Sequence, residues 1–335
     1  MNMPTVLISI LNWNKAAVTL ECLASLQGME TTGFKADILV IDNGSAPADL
    51  AALVAGADPQ YARVLHLEKN LGFTGGHNVA MKMADGYDFI WLLNNDATVQ
   101  ADTLSKLVRA MTADPGCGAA SPVIYAEDEV GHLNAWGATH DWRARATDWL
   151  PSAAASMKLQ ENAPERLFLA GTAVLFRLHA LREVGFLDER LFAYYDDNDI
   201  GTRLVHAGWH SKVVFDAAAT HGARDLSEQP PYFFYLMYRN ELIFWHTHMP
   251  REHRKLLWLK LVNQSMFNIN RLRRRGMVRQ AEAALLGVAD FIAGKYGAPD
   301  LARTPPLLIR VACRVLGRVH DKQLRTAVQP AVSTS

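Results

Sequence analysis

Short apolar runs alternate with helical periodicity along the first 120 residues of the chain. Strand-like runs occupy 5–11, 37–41, 64–67 and 89–93, and polar residues close each of them. Between these runs, apolar residues recur every three or four positions, as on one face of an amphipathic helix. Asn14 is the expected N-cap of the first helix. This alternation predicts an α/β fold with a mostly parallel central sheet flanked by helices.

The second half of the chain is less regular. Residues 126–164 have weak periodicity, which predicts a long excursion from the sheet. A strand at 167–176, a helix at 199–207 and a strand at 212–216 are expected next. Further helices are predicted at 232–248, 252–274, 277–293 and 306–319. The expected organisation is an α/β domain over 1–230, a helical C-terminal region over 231–325 and a disordered tail over 326–335.

Charge divides the chain into two regions. The 335 residues have no net charge, but residues 1–250 carry 18 Lys and Arg against 29 Asp and Glu. Residues 251–335 carry 16 against 5, and within 251–279 the basic side chains alternate with Leu and Trp. That pattern is typical of a helix at an anionic membrane surface, or of a helix with a solvated basic face that packs on the rest of the protein. No nucleic-acid-binding motif accompanies the charge, so nucleic acid is not an expected partner.

Cysteine usage and hydropathy bear on location. Cys22, Cys117 and Cys313 are far apart and form no C-x-x-C pair, which favours a reducing compartment and argues against a cysteine-ligated metal. No run of 18 uncharged apolar residues is present, and the apolar start lacks the pattern of a signal peptide. We therefore expect a cytoplasmic protein with peripheral contact at the inner face of the cytoplasmic membrane through 251–279. Its oligomeric state is open.

Two acidic segments stand where chemistry is expected. Asn94, Asn95 and Asp96 follow a predicted strand, and such oxygen donors suit Mg²⁺ or Mn²⁺, although an Asx-rich turn has the same composition. The segment 196–199 holds three carboxylates in four residues, more than helix capping requires. Asp199 and Arg203 are spaced as a structural ion pair. Repulsion among the acids should raise the pKa of at least one, which suits a general base.

A glycine-rich segment at 70–78 precedes a predicted helix. Such segments let backbone N–H groups approach a phosphate, although a tight loop without a ligand has the same sequence. Its spacing fits neither the dinucleotide-binding nor the P-loop fingerprint. His221 follows a predicted strand, and a lone histidine is more often a surface residue than a ligand.

Taken in order, these segments resemble glycosyltransferase family 2, the inverting enzymes of the GT-A nucleotide-diphospho-sugar transferase fold, and most closely its rhamnosyltransferase-like branch. The resemblance extends over about residues 4–245. It is carried by VLISILNWN at 6–14, VIDNGS at 40–45, NLGFTGGHN at 70–78, LLNND at 92–96, LAGT at 169–172, VGFLDE at 184–189, YDDNDI at 195–200, and His221.

The resemblance implies an inverting transfer of a sugar, with rhamnose as a candidate, from a nucleotide-diphosphate donor to a hydroxyl of a glycan or lipid-linked saccharide. It assigns nucleotide binding to 1–125 and the acceptor side to 126–230. Asp42 corresponds to the acid that contacts the base. Asp96 and His221 correspond to ligands of a divalent metal, Mg²⁺ or Mn²⁺. Asp197 corresponds to the catalytic base, with Asp196 as the alternative. The remaining nucleotide-sugar contacts fall on Asn12, Asn70, Gly72, Phe73, Gly75, Gly76, Asn78, Asn94 and Asn95.

Two other functions stay open at this stage. Asn94 stands where the family has the first aspartate of its D-x-D motif, which also suits a sugar-nucleotide-binding protein without catalysis. A sugar-phosphate nucleotidyltransferase shares the general architecture, but it normally needs a basic glycine-rich loop near the N-terminus. Residues 9–16 contain no glycine. The motifs of serine hydrolases and zincins are missing, so neither class is supported.

Overall fold

The computed structural model describes residues 3–126, 133–141, 146–222, 228–249 and 254–316. The chain divides into two compact units, Met1–Ala223 and Arg224–Ser335. The predicted boundary at 230 falls shortly after this division. The predicted tail at 326–335 lies outside the described residues.

One large sheet forms the centre of the first unit. Its strands are β1 (Thr5–Asn12), β2 (Lys35–Asp42), β3 (Ala62–His66), β4 (Phe89–Leu93), β5 (Ala97–Val99), β6 (Cys117–Ala126), β7 (Leu133–Ala135), β10 (Ala173–Arg177) and β11 (His210–His221). Their order is β3-β2-β1-β4-β10-β6-β11-β5, with β7 paired to β6. Strands β1, β2, β3, β4, β6 and β11 run in one direction, and β5, β7 and β10 run against them. The prediction of a mostly parallel sheet is confirmed.

Helices cover both faces of this sheet. The first unit contains α1 (Ala16–Leu26), α2 (Pro47–Gly56), α3 (Gly72–Met83), α4 (Thr103–Ala113), α5 (Ala153–Asn162), α6 (Leu178–Val184) and α7 (Asp196–His206). Because both faces are covered, the central strands are apolar at nearly every position. In β1, Val6, Ile8 and Ile10 pack into one core cluster, whereas Leu7 packs into the other.

The first helix begins differently from the prediction. Asn14 is not its N-cap, because Lys15 occupies that position and its side chain makes no capping hydrogen bond. The Ala16 N–H donates instead to Asp49 Oδ1 at 2.9 Å. Asn14 has a φ of 54°, and its Oδ1 accepts a hydrogen bond from the Ala46 N–H at 2.8 Å. The predicted cap therefore braces the turn that precedes α2.

Three further boundaries differ from expectation. The glycine-rich segment is not a loop, since α3 already begins at Gly72. The helix expected at 199 begins at Asp196. The strand expected from 167 begins only at Ala173, and Phe168 instead forms an isolated bridge with Ala138. The excursion also holds regular structure: α5 and a hairpin of β8 (Ala138–Asp141) and β9 (Ala146–Trp149).

The second unit is helical, as predicted. It contains α8 (Pro231–His248), α9 (Arg254–Arg274), α10 (Val278–Ile292) and helical residues at 307–316. Tyr235 donates to Asp290 Oδ2 at 2.6 Å, which joins α8 to α10. Within the described ranges, no helix is long and apolar enough to cross a membrane. Residues 251–253 lie outside the described residues, and the membrane contact expected for 251–279 stays a prediction.

Candidate active site

The carboxyl ends of the parallel strands bring the predicted polar residues to one edge of the sheet. Asn12 pairs in register with Asp42, and Asp42 pairs with His66, so three neighbouring strands place these side chains in a row. Ligands of α/β sheets bind at this edge because the loops that follow the strands converge there.

Asn12 and Asp42 form a buried network. Both residues are fully buried. The Asn12 Nδ2 group donates to Asp42 Oδ1 at 2.8 Å and to Asp49 Oδ2 at 2.9 Å. The other Asp42 oxygen, Oδ2, accepts from the Ser45 N–H at 3.2 Å and is hydrogen-bonded to His66 Nδ1 at 2.8 Å. The polar residues at the ends of β1, β2 and β3 are therefore held by one another.

The charge state of Asp42 follows from these contacts. Burial alone would raise its pKa, but hydrogen bonds from Ser45, Asn12 and His66 outweigh burial and lower it. Asp42 is therefore an ionised acceptor at neutral pH. Its predicted contact with a nucleotide base stays a prediction. The sequence alone did not point to Asp49 or His66, because neither belongs to a recognisable motif. Strand register places His66 beside Asp42, and the position of α2 places Asp49 beside Asn12.

A set of amides fixes the start of α3. Asn70 Oδ1 accepts from the Gly72 N–H at 2.7 Å and from Asn43 Nδ2 at 3.1 Å. Gly72 has a φ of 75°, and a Cβ there would lie 2.3 Å from the Phe192 carbonyl oxygen. That oxygen accepts from the Thr74 N–H at 3.1 Å. Glycine is required at 72 for both the backbone conformation and the close approach.

Gly75, Gly76 and Asn78 are buried inside the first two turns of α3. A Cβ on Gly76 would lie 2.9 Å from Leu11 Cδ2, so the glycine allows the helix to lie close to the end of β1. Asn78 Nδ2 donates to the Leu187 carbonyl at 2.9 Å, and its Oδ1 accepts from the Leu187 N–H at 3.0 Å. These contacts are structural, and the phosphate contacts predicted for 70–78 stay predictions.

Asp96 and His221 meet after β4. Asp96 Oδ1 lies 3.1 Å from His221 Nε2, and the Asn94 amide lies 3.4 Å from the same nitrogen. Antiparallel pairing of β5 with β11 sets His221 opposite Ala97, which explains the meeting of residues so distant in sequence. Burial would raise the pKa of Asp96, but His221 and Lys15 lower it on balance. The Asn95 side chain instead contacts α1, where its Nδ2 donates to Thr19 Oγ1 at 2.9 Å.

The donor set at this corner fits a divalent cation only in part. Asp96 supplies a carboxylate, His221 an imidazole, and Asn94 an amide, a mixture that suits Mn²⁺ or Mg²⁺. Among the described residues, no group of three or more His, Cys, Asp or Glu side chains is arranged to hold a metal. A cation here would therefore need further oxygen ligands from a bound diphosphate or from water.

Asp196 and Asp197 open α7 after an unusual backbone segment. Phe192, Tyr194 and Tyr195 all have φ values of 66°, a left-handed conformation that costs non-glycine residues of order 1 kcal/mol or more each. Such strain is typical of functional sites, where the surrounding structure holds it in place. Here it delivers two adjacent carboxylates to the start of the helix.

The two acids have different surroundings. Asp196 is buried, and that burial together with the charge of Asp197 raises its pKa to about 8. Burial also raises the pKa of Asp197, but its carboxylate accepts hydrogen bonds that favour the charged form. Oδ1 accepts from Asn198 N and Nδ2 at 2.8 Å each, and Oδ2 accepts from the Gly171 N–H at 3.2 Å. The hydrogen bonds therefore favour a negative charge on Asp197 over one on Asp196.

Residues 171 and 172 connect the two acidic centres. The Gly171 N–H donates to Asp197. The carbonyl of the following residue, Thr172, accepts from the Asn94 N–H at 2.9 Å. Because β10 lies antiparallel to β4, the start of β10 is beside the end of β4. A small, mainly apolar cavity lined by Phe73, Leu169 and Gly171 adjoins Asp196 and Asp197. The Asp96–His221 pair and the Asp196–Asp197 pair are thus linked through residues 171 and 172, directly before β10.

Asp199 is structural, as predicted. Its Oδ2 lies 2.8 Å from both Arg203 Nε and Nη2. Arg203 also donates to the carbonyls of Val184, Gly185 and Phe186, each at 2.8 Å. The ion pair therefore anchors α7 to the segment after α6 and leaves Asp196 and Asp197 as the chemical candidates.

Curated relatives share part of this sequence. Galactofuranosyltransferase GlfT1 of Mycobacterium tuberculosis is 30% identical over 189 residues, which cover 55% of this chain and 60% of that protein. The N-acetylglucosaminyl-diphospho-decaprenol L-rhamnosyltransferase of the same species is 44% identical over 54 residues, 16% of this chain and 18% of that protein. The chain therefore matches about 60% of the length of the first relative.

Solved structures share the fold. Staphylococcus aureus TarS 1–349 in complex with UDP-GlcNAc has a TM-score of 0.60 at 15% identity and covers 97% of this chain and 92% of that chain. Mannosyltransferase PcManGT from Pyrobaculum calidifontis, in complex with GDP-Man and Mn²⁺, has a TM-score of 0.54 at 17% identity, with coverages of 100% and 89%. These likenesses confirm the expected GT-A fold. The family model described as "Glycosyl transferase family 2" matches residues 6–185, more than half of the sequence, and the chain belongs to that family.

Proposed function

We propose that the chain is an inverting glycosyltransferase that moves a sugar from a nucleotide-diphosphate donor to a hydroxyl of a glycan or lipid-linked acceptor. The observation that carries the proposal is the placement of Asp197 and Asp96 at one edge of the sheet. Consecutive residues, Gly171 and Thr172, contact Asp197 and Asn94. That arrangement suits a reaction in which one group binds the leaving phosphate and another activates the incoming alcohol.

The donor would lie along the carboxyl ends of β1 to β4. In this proposal Asn12 and Asp42 order the nucleoside end, and the start of α3 lies beside the phosphates. Asp96, His221 and Asn94 would hold Mg²⁺ or Mn²⁺, which would supply neutralisation of the charge that develops on the leaving diphosphate. Structures of the same fold solved with Mn²⁺ support a divalent metal.

Asp197 is the proposed base. Its carboxylate accepts three hydrogen bonds that favour the charged form, whereas burial and the charge of Asp197 raise the pKa of Asp196 to about 8. Asp197 would accept the proton of the acceptor hydroxyl as its oxygen attacks the anomeric carbon. The bond from the acceptor oxygen to the anomeric carbon forms on the face of the sugar opposite to the bond that breaks between that carbon and the leaving diphosphate. A single displacement of this kind inverts the anomeric configuration.

The sugar has two candidates. The short match to an L-rhamnosyltransferase supports rhamnose, as the sequence resemblance does, and the longer match to GlfT1 supports galactofuranose. The name of the rhamnosyltransferase relative includes N-acetylglucosaminyl-diphospho-decaprenol, a lipid-linked saccharide, which supports an acceptor of that kind. Residues 126–230 would contribute the acceptor side, and a helix at an anionic membrane would suit a lipid-linked acceptor.

A donor screen tests the proposal. The full chain is incubated with nucleotide sugars of both candidate sugars, a lipid-linked saccharide acceptor, and either Mn²⁺ or EDTA. We expect release of nucleoside diphosphate and a product whose anomeric proton, followed by NMR, has the inverted configuration. Donor binding without any transfer or hydrolysis would support the non-catalytic alternative. Pyrophosphate release from a nucleoside triphosphate and a sugar phosphate would support a nucleotidyltransferase.

A further inference from the structure

Asn198 is the third residue of α7 and directly follows the proposed base, Asp197. Its backbone N–H and its Nδ2 group both donate to Asp197 Oδ1, at 2.8 Å each. The other carboxylate oxygen, Oδ2, accepts from the Gly171 N–H at 3.2 Å. Of these three donors, the two N–H groups belong to the backbone. The Asn198 amide is therefore the side chain among them that holds the carboxylate.

Contacts on both sides fix which way round the Asn198 amide lies. Asp197 Oδ1 already accepts the Asn198 backbone N–H, so it faces the NH₂ group of the amide rather than its oxygen. The amide oxygen, Oδ1, then lies toward Thr147, whose Oγ1 is 3.4 Å away. Because an amide oxygen can only accept, the Thr147 hydroxyl is the donor in this contact.

Thr147 belongs to the β8–β9 hairpin, which is part of the excursion from the sheet. His140 of β8 is its partner in the strand register, and His140 Nδ1 lies 3.2 Å from Thr147 Oγ1. The His140 ring also packs beside the ring of Phe168, with the centroids 5.1 Å apart. Hydrogen bonds therefore connect the hairpin to Asp197 through Thr147 and Asn198.

On the basis of the proposed function, we propose that Asn198 is a positioning residue for the transfer reaction. It holds the Asp197 carboxylate in the orientation that receives the acceptor proton, and the hairpin holds Asn198 through Thr147. A fixed carboxylate keeps its lone pairs aimed at one place, which favours proton transfer. The amide donor also stabilises the charged form that a base requires. The hairpin thus contributes to the reaction without touching the reacting atoms.

The charges around Asp197 set the sign of the expected pH effect. Asp196 lies beside it on α7, and Asp199 is paired with Arg203. The described side chains that line the adjoining cavity from α3, β4, β6, β10 and β11 carry no charge. Hydrogen bonds from Asn198 lower the pKa of Asp197 against the effect of burial. Loss of the amide should therefore raise this pKa, and kcat should begin to fall at a higher pH as the solution is acidified.

The pH dependence of kcat tests the inference on the full chain, with the donor and acceptor chosen by the donor screen and with Mn²⁺. Asn198→Ala keeps the backbone N–H and removes Nδ2. We expect the maximal kcat to fall about tenfold and the acid limb to move up by about one pH unit. Asn198→Asp, which replaces the donor with a like charge, should move the acid limb further. A structural role would lower the rate equally at every pH, so an unmoved acid limb in both variants would overturn the inference.

A double variant tests the part assigned to the hairpin. Thr147→Val should move the acid limb in the same direction but less, because its contact is longer than those of Asn198. Thr147→Val combined with Asn198→Ala should shift the limb no further than Asn198→Ala alone. Thr112→Val is the matched control, since its hydroxyl donates at 2.7 Å to the Val108 carbonyl within α4, and it should keep the wild-type profile. Additive shifts in the double variant would overturn the role of Thr147.

Failure of this inference can be told apart from failure of the proposed function. Loss of turnover in Asp197→Asn together with a wild-type pH profile in Asn198→Ala would overturn the positioning role alone. No transfer by the wild-type chain with any donor of the screen would overturn the proposed function and this inference together.

Discussion

Replacing Asp197 with asparagine separates the proposed chemistry of this residue from its place in the fold. Its carboxylate accepts two hydrogen bonds from Asn198 and one from the Gly171 N–H. An asparagine whose Oδ1 faces Asn198 keeps the first two and turns its NH₂ group toward Gly171. One donor then faces another, which costs about 1–3 kcal/mol of stability. The variant should therefore fold, with a small loss in the free energy of unfolding.

The expected effect on turnover is larger. A positioned general base contributes roughly 10²–10⁴ in rate. This range corresponds to about 3–5 kcal/mol of transition-state stabilisation. We expect kcat to fall by that factor, while the dissociation constant of the donor changes little because Asp197 acts on the acceptor hydroxyl. Initial rates of transfer and calorimetry of donor binding at pH 7 measure the two effects separately.

Asp196→Asn is the matched control. The raised pKa of Asp196 leaves it mostly protonated at pH 7, so a neutral amide preserves its charge. We expect kcat to remain within about one order of magnitude of wild type, since the variant leaves the proposed base, Asp197, in place. The reverse pattern, with turnover lost in Asp196→Asn and kept in Asp197→Asn, would refute the assignment. Full activity in both variants would place the base elsewhere.

Three further predictions concern Asp96, the start of α3 and the Asp196–Asp197 pair. Asp96→Ala should weaken donor binding in Mn²⁺ by about tenfold or more and abolish its response to EDTA, as measured by calorimetry; an intact metal response would contradict the role of Asp96. Gly72→Ala should lower the free energy of unfolding in urea by about 1–3 kcal/mol more than Gly86→Ala, because both have positive φ but only Gly72 faces the Phe192 carbonyl; equal losses would refute this. The folded protein holds a proton on Asp196 that the unfolded chain releases above about pH 4, so stability should fall as pH rises from about 4 to about 8. The Tm of Asp196→Asn should therefore decrease less than that of wild type between pH 5 and 9, and parallel curves would contradict this.

The central strands were predictable because their physical requirements are simple. The buried stretches of β1, β2 and β4 are covered on both faces, so most of their side chains are apolar and polar residues mark their ends. The polar residues after the strands were predictable for the same reason. Asp199 and Arg203 could be paired by helical spacing alone.

Other features depend on contacts that sequence does not encode locally. Glycines normally disfavour helices, so 72–78 resembled a loop. The structure shows why glycine is needed within this helix: a Cβ on Gly75 would overlap Leu71, and one on Gly76 would overlap Leu11. His66 is a single residue whose partner is set by strand register. The link from Asp197 through Gly171 and Thr172 to Asn94 requires the start of β10 to lie beside the end of β4, which no local pattern states.

The central claim is that Asp96 and Asp197 act on one donor from two sides. A crystal structure of Asp197→Asn soaked with Mn²⁺ and the nucleotide sugar chosen by the donor screen tests it most directly. We predict anomalous scattering of Mn²⁺ beside Asp96 and His221, with the anomeric carbon facing the Asn side chain of the variant across the start of β10. A donor bound at that edge with its anomeric carbon turned away from the start of α7, or Mn²⁺ bound at other residues, would contradict the account.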